Sequence, residues 1–182
     1  VRFGYRIFSP WIKKFLRSKI AVNRFKCVWV DGGAELSPSI YKWLKGISET
    51  IVNYQTDDPF GGRDGKKWDL YRKSLSYHNL TVVLRDVNIQ EAYDFGANQV
   101  LRVPFSYDSV DHAPVEVRTI PPKFRSEVAF IGTWMPERGR FMKQLIDLKV
   151  PLSIRGDWWQ KAPEWGSIRT NVLSPAVYGK EY

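Results

Sequence analysis

Cysteine is almost missing from this chain: Cys27 stands alone, so there is no internal disulfide and no cysteine-built zinc site. That usage fits a reducing compartment, and a cytoplasmic protein is expected. Long apolar runs are also lacking. The longest, such as Val128-Ala129-Phe130-Ile131, are strand-sized, too short for a membrane-spanning helix, and none reads as a signal peptide. Methionine occurs only at Met135 and Met142 and the chain opens on Val1, which raises the expectation of a fragment. Acid is missing from one region. Residues 1 to 26 hold Arg2, Arg6, Lys13, Lys14, Arg17, Lys19, Arg24 and Lys26 with no Asp or Glu, whereas the remainder carries 20 bases against 19 acids. The net charge of +9 therefore belongs to one segment. A nucleic-acid binder carries its basic surface on the folded body, so no nucleic-acid partner is expected.

The 182 residues are 43% hydrophobic and 26% charged, enough for a sizeable core. In the basic segment, Phe8, Trp11, Ile12, Phe15, Leu16 and Ile20 recur at helical spacing, with Lys13, Lys14 and Arg17 mostly opposite. This amphipathic helix has two readings: packed on a sheet with its basic face in water, or lying on an anionic membrane or partner through residues 1–26.

From residue 25, strand-like runs alternate with helical ones. Strands are expected at Phe25 to Val30, Thr50 to Tyr54, Thr81 to Leu84 and Gln99 to Val103. Helices are expected from an N-cap at Ser37 through Lys45, from Lys67 to Tyr77, and from Asn88 to Phe95 before Gly96. Single helices between strands imply parallel pairing. Residues 105 to 126, with Ala113-Pro114 and Pro121-Pro122, lose the rhythm. A second unit then begins, with a strand at Glu127 to Ile131, a helix at Glu137 to Leu148 and a strand at Leu152 to Arg155, then loop with one short strand over residues 160 to 175 and a new helix starting near Tyr182. The expected fold is α/β, a parallel-sheet Rossmann-like domain over residues 1–112, a linker over 113–126, and the start of a second Rossmann-like domain over 127–182.

Chemistry is best placed in Gly132-Thr133-Trp134-Met135-Pro136-Glu137-Arg138-Gly139, where a strand delivers a glycine and a helix starts at a proline. Unpaired N–H groups and the dipole at such a helix start favour an anion. Arg138 and Arg140 lie in the first turn. A charge-assisted hydrogen bond contributes about 1.5–3 kcal/mol and the dipole about 0.3–1 kcal/mol. The sum reaches only roughly millimolar affinity. An ordinary strand-to-helix turn has the same pattern, and the dinucleotide fingerprint, the Walker loop and the nucleophile elbow are absent.

Asp57 and Asp58 follow a strand at the edge where open α/β sheets place ligands. One of them is a candidate general base or sugar-hydroxyl partner; alternatively they form an acidic turn that caps backbone N–H groups. Their adjacency departs from the D-x-D spacing of metal-dependent transferases, so no metal is expected. His78 falls at a helix end, as a satisfied or dipole-stabilised histidine, and His112 near the linker. Trp29 and Trp43 are expected in the core, and Trp134 and the Trp158-Trp159 pair to line a cleft.

From about Phe25 onward the chain resembles the spore-maturation CgeB-like glycosyltransferases, a branch of the GT-B fold. The resemblance rests on Val28-Trp29-Val30-Asp31, Tyr54-Gln55-Thr56-Asp57-Asp58-Pro59-Phe60, Arg102-Val103-Pro104-Phe105-Ser106-Tyr107-Asp108, and Phe130 through Gly139 with Gly156-Asp157 beyond. The Gly132–Gly139 stretch is also similar to the G-R-L-x-P-E-K-G donor-phosphate loop of group-1 glycosyltransferases, with Thr133 where that pattern has arginine and Arg138 where it has lysine. The resemblance implies metal-independent sugar transfer from a nucleotide-sugar, without a further cofactor, to an unidentified acceptor. It implies donor-phosphate contacts from Gly132, Thr133, Arg138 and Arg140. It places Asp57 and Asp58 on the acceptor side as the catalytic pair, with Thr56, Arg85, Trp134 and Trp158 facing the cleft. It further implies that the family extends past Tyr182, so that these 182 residues by themselves bind donor poorly and turn over little.

Overall fold

The computed structural model describes residues 4–20, 24–110, 112–173 and 176. The chain divides into two compact units, Val1–Asp108 and Ser109–Tyr182. The protein is α/β, with a parallel four-stranded sheet in the first unit and a parallel two-stranded sheet in the second.

The first unit opens with α1 (Ser9–Lys19), followed by β1 (Phe25–Asp31), α2 (Pro38–Ile47), β2 (Ser48–Gln55), the short α3 (Asp69–Arg72), β3 (Leu80–Val83), α4 (Val87–Asp94) and β4 (Val100–Arg102). The strands pair in chain order, β1-β2-β3-β4, each neighbour parallel. Successive right-handed crossovers that step in one direction bring their helices to one face of the sheet. Accordingly Val30 and Ile51 pack with Ile40, Tyr41 and Leu44 of α2. Farther along, Trp68, Tyr71, Leu75 and Ala92 form a neighbouring cluster. Trp29, expected in the core, is 61% exposed. It lies one residue out of phase with buried Val30 and so points to the other face, where its ring meets Tyr54 at 5.7 Å. Trp43 is partly buried against the α2 cluster.

Local polar groups explain two further departures. Ser37 occupies the backbone N-cap position of α2, but its hydroxyl makes no capping bond; it accepts from Ser9 Oγ at 2.5 Å and so ties α1 to α2. The helix expected over Lys67 to Tyr77 breaks into 3-10 turns at Gly62–Trp68 and Leu75–Tyr77 around the four-residue α3. Gly65 is non-helical at φ 57°. The Ser74 hydroxyl donates back to Leu70 O at 2.8 Å, a bond that bends helices. Gly96, at φ 88°, closes α4 as expected, with Ala97 N donating to Ala92 O at 3.0 Å.

His78 is fully buried between Tyr41 and Tyr71, with ring centroids 4.6 and 6.0 Å away. Its Nδ1 shares a hydrogen bond with Thr81 Oγ1 at 3.2 Å. Burial, with Lys45 adding to it, lowers its pKa from 6.5 to about 4. A dipole-stabilised imidazolium would shift the other way, so His78 is a neutral core residue.

The second unit contains β5 (Val128–Ile131), α5 (Pro136–Asp147), β6 (Leu152–Arg155) and the short α6 (Trp165–Ile168). Its core joins Met142 of α5, Leu152 and Ile154 of β6, and Trp159, Ala162 and Ile168. Residues 113–126, expected as a linker, hold two 3-10 turns and cluster with this unit, where Arg155 donates to Lys123 O and lies over the Phe124 ring. Residues 160 to 175, expected as loop with one short strand, have 3-10 turns, α6 and an isolated parallel bridge from Ile154 to Val172. The helix expected near Tyr182 lies outside the described residues. Among the described residues, no helix is long and apolar enough to cross a membrane.

Candidate functional site

Two groups of predicted residues sit at the carboxyl ends of parallel strands, one in each unit. In the first unit, β2 ends at Gln55, whose Oε1 accepts from Asp57 N at 3.0 Å. This holds the turn at Thr56, which is half-buried, and leaves the Asp57 carboxylate outward, 3.4 Å from Lys67 Nζ. Asp58 points the other way. Its Oδ1 accepts from Phe60 N at 3.2 Å, Gly61 N at 3.1 Å and Asn88 Nδ2 at 3.2 Å. Its Oδ2 lies 3.4 Å from Arg85 Nη1. Asn88 is buried and donates also to Glu91 Oε2 at 2.8 Å. Thus the loops after β2 and β3 are joined through Asp58, Arg85 and Asn88. The acidic pair divides its labour: Asp58 holds the turn and Asp57 presents charge to water.

Asn88, Glu91 and Lys67 were not candidates from the sequence. Asn88 stands at the start of an expected helix, where asparagine is an ordinary residue. Only the β3–α4 crossover brings it to Asp58.

In the second unit, the loops after β5 and β6 are laced together. Gly132 N donates to Arg155 O at 2.8 Å and Trp134 N to Asp157 O at 2.9 Å, while Trp159 Nε1 donates to Gly132 O at 2.9 Å. Trp159 is therefore a buried strut and no cleft-lining residue. Gly156, at φ 146°, lies so close to the Gly132 carbonyl that a Cβ would overlap it. Trp158 is exposed and left-handed at φ 66°, unusual for a bulky residue and of the kind that marks stored strain. Lys161 Nζ lies 4.6 Å from the centre of the Trp158 ring.

This lacing consumes donors that an anion would need. Within residues 132–137, Gly132 and Trp134 spend their N–H groups on β6 and its loop, and Pro136 has none. Thr133 and Glu137 retain N–H groups with no acceptor among the described residues. Arg138 turns back: its Nη1 donates to Thr133 O at 2.7 Å and its guanidinium lies 5.5 Å from the Phe130 ring centre. Its other N–H donors remain. Arg140 is exposed and has no ion-pair partner among the described residues.

Glu164 adds a feature that its isolated position in the sequence did not signal. A Cβ on Gly139 would fall 2.5 Å from Glu164 Oε2 and 3.1 Å from Trp134 Nε1. Both atoms are buried without a hydrogen-bond partner. Glu164 therefore places a carboxylate beside the first turn of α5, where the dipole favours negative charge. A second anion at this helix start would feel its repulsion. Among the described residues, no three His, Cys, Asp or Glu side chains converge as a metal cage.

The division of labour in the acidic pair predicts different effects on stability. Asp58→Ala is expected to cost about 0.5–2 kcal/mol, as loss of a capping side chain does. Asp57→Ala should stay within about 0.5 kcal/mol, as exposed substitutions do. Urea denaturation of the two variants measures the difference; equal losses would contradict the assignment.

Compared with family models, curated proteins and solved structures, the chain matches none.

Proposed function

We propose that the chain belongs to a GT-B-type glycosyltransferase of the CgeB-like kind, which transfers a sugar from a nucleotide-sugar without a metal. The observation that carries this reading is the β5–α5 turn. The parallel strand β5 runs into Gly132, beside which the Arg138 guanidinium lies, and a twelve-residue helix follows with that arginine in its first turn. Two N–H groups, at Thr133 and Glu137, together with the unspent donors of Arg138 and the exposed guanidinium of Arg140, are the groups that would meet a diphosphate. The parallel α/β architecture supports the reading, and so does the outward carboxylate of Asp57 at a strand end.

On this reading Asp57 orients the acceptor hydroxyl or takes its proton, and Asp58 keeps the turn in place with Arg85 and Asn88. Trp158 offers a flat exposed ring for a sugar or base. The buried carboxylate of Glu164 works against tight phosphate binding, so the donor relies on base and sugar contacts for its affinity.

A thermal-shift series with uridine, guanosine and thymidine diphosphate sugars tests the donor site. At about 10 mM ligand and a roughly millimolar Kd, the expected stabilisation is about 1.4 kcal/mol. That corresponds to a Tm rise of about 3–6 °C if the transition behaves as one of 150–250 residues. Arg138→Gln should remove the shift. Absence of a shift with every donor would count against the reading.

A second reading, a non-catalytic nucleotide- or glycan-binding module, is favoured by the hydrogen bonds that commit Asp58 to its own turn. Asp57→Asn, made in the longest form of the protein that folds, separates the two. Sugar transfer lost with donor binding intact indicates catalysis, whereas binding without transfer in both the parent and the variant indicates the module.

A further inference from the structure

Helix α1 uses only part of its apolar surface within the fold. Ile12 and Leu16 pack against the cluster of Val30, Ile40, Tyr41, Leu44 and Ile51. Trp11 and Phe15, which have the same helical periodicity, are 71% and 60% exposed. Ile7 and Phe8 are exposed too, and the Phe8 ring lies 6.2 Å from that of Trp11. Positions 11 and 15 are four apart in α1, which sets their side chains in one strip along the helix, and Ile7 and Phe8 lie in the 3-10 turn just before it. At 100° per residue Lys14 and Lys19 fall on opposite sides of that strip, and Lys19 Nζ lies 6.0 Å from the centre of the Phe15 ring.

The charge around the strip is of one sign. No Asp or Glu occurs in residues 1–26. Among the described residues, Lys13, Lys14, Arg17 and Lys19 have no carboxylate partner, whereas Arg6, at the base of the helix, is paired with Asp69. The helix is also held to the body from its other side. Ser9 bonds to Ser37, and the Arg17 guanidinium lies 5.6 Å from the centre of the Trp43 ring. The exposed strip is thus presented on a docked helix and needs no refolding to engage a partner.

Contiguous exposed aromatics flanked by lysine are not explained by core packing, which takes Ile12 and Leu16, about 100° round the helix. A polyanion alone would use the lysines and leave Trp11 and Phe15 in water. An anionic bilayer surface uses both: its headgroups attract lysine, and its headgroup–acyl boundary accepts aromatic and aliphatic side chains. We propose that this face of α1 is a peripheral docking surface for anionic lipid, with Ile7, Phe8, Trp11 and Phe15 entering the boundary region and Lys14 and Lys19 contacting the headgroups.

Flotation of the full chain with phosphatidylcholine vesicles, with and without a quarter of phosphatidylserine, tests the surface. The chain should float with the anionic vesicles, and much less with the neutral ones. Trp11→Ser with Phe15→Ser should lower partitioning roughly ten-fold or more. Lys14→Gln with Lys19→Gln should lower it about five-fold for each lysine. All four side chains point away from the core, so unchanged melting temperatures confirm that the variants are folded. Failure of the parent chain to float with anionic vesicles would overturn the proposal. So would flotation that the lysine pair reduces and the aromatic pair leaves unchanged, because that is attraction to any polyanion.

Discussion

Gly156→Ala is expected to destabilise the second unit by roughly 2–6 kcal/mol, the combined cost of a left-handed backbone and an overpacked contact. The residue stands at φ 146°, and its missing side chain is what lets the β6 loop lie against the Gly132 carbonyl. That carbonyl also accepts from Trp159 at 2.9 Å, so pushing the loops apart would strand a buried donor. Gly166→Ala is the matched control. A Cβ there meets nothing within 4 Å, and glycine-to-alanine in a helix is stabilising by about 0.4–1 kcal/mol. Guanidinium unfolding followed by tryptophan fluorescence distinguishes the two variants. Similar midpoints would mean that the close approach of Gly156 to Gly132 is not needed for stability. The same substitution should abolish any nucleotide-sugar stabilisation, because it displaces the loop that presents Thr133 and Arg138.

The second large effect is acid sensitivity from His78. Its pKa is about 4 in the fold against 6.5 for an unperturbed histidine. Between those values the unfolded chain binds a proton that the folded chain refuses. Stability from this residue is therefore fully present above pH 6.5 and is lost as the pH falls towards 4. The total is about 3 kcal/mol. His78→Gln should flatten the dependence of unfolding free energy on pH over that window, whatever it does to stability at pH 7. An unchanged slope would show that other groups carry the acid sensitivity. His78 is then a core residue with a pH consequence, at a distance from chemistry that its ring sandwich of Tyr41 and Tyr71 explains.

The strand-and-helix order was legible because apolar periodicity and Gly/Pro punctuation are local. β6 appears at Leu152–Arg155 as expected, and α4 stops before Gly96. Where expectation failed, a polar group had found a better partner than the local pattern implied. Ser37 spends its hydroxyl on Ser9, 28 residues away, and Ser74 turns back on Leu70. Tryptophan misled in both directions. Trp29 is exposed because period two turns it from the helices, and Trp159, one residue after exposed Trp158, is buried because it holds Gly132.

For the candidate site, the sequence alone determined which residue types lie at the ends of strands: Thr56, Asp57, Asp58 and Arg85 in one unit, and Gly132 through Arg140 in the other. It determined the one-sided charge of the first 26 residues as well. Only the tertiary structure decided how each group is employed. Hydrogen-bond demand is set by neighbours distant in sequence, as Asn88 is to Asp58 and Arg155 to Gly132. It also decided which side of α1 is spent on the core, because amphipathic spacing gives a face its width while packing determines how much of it is covered. The exposed strip of Trp11 and Phe15 is the part that packing left over.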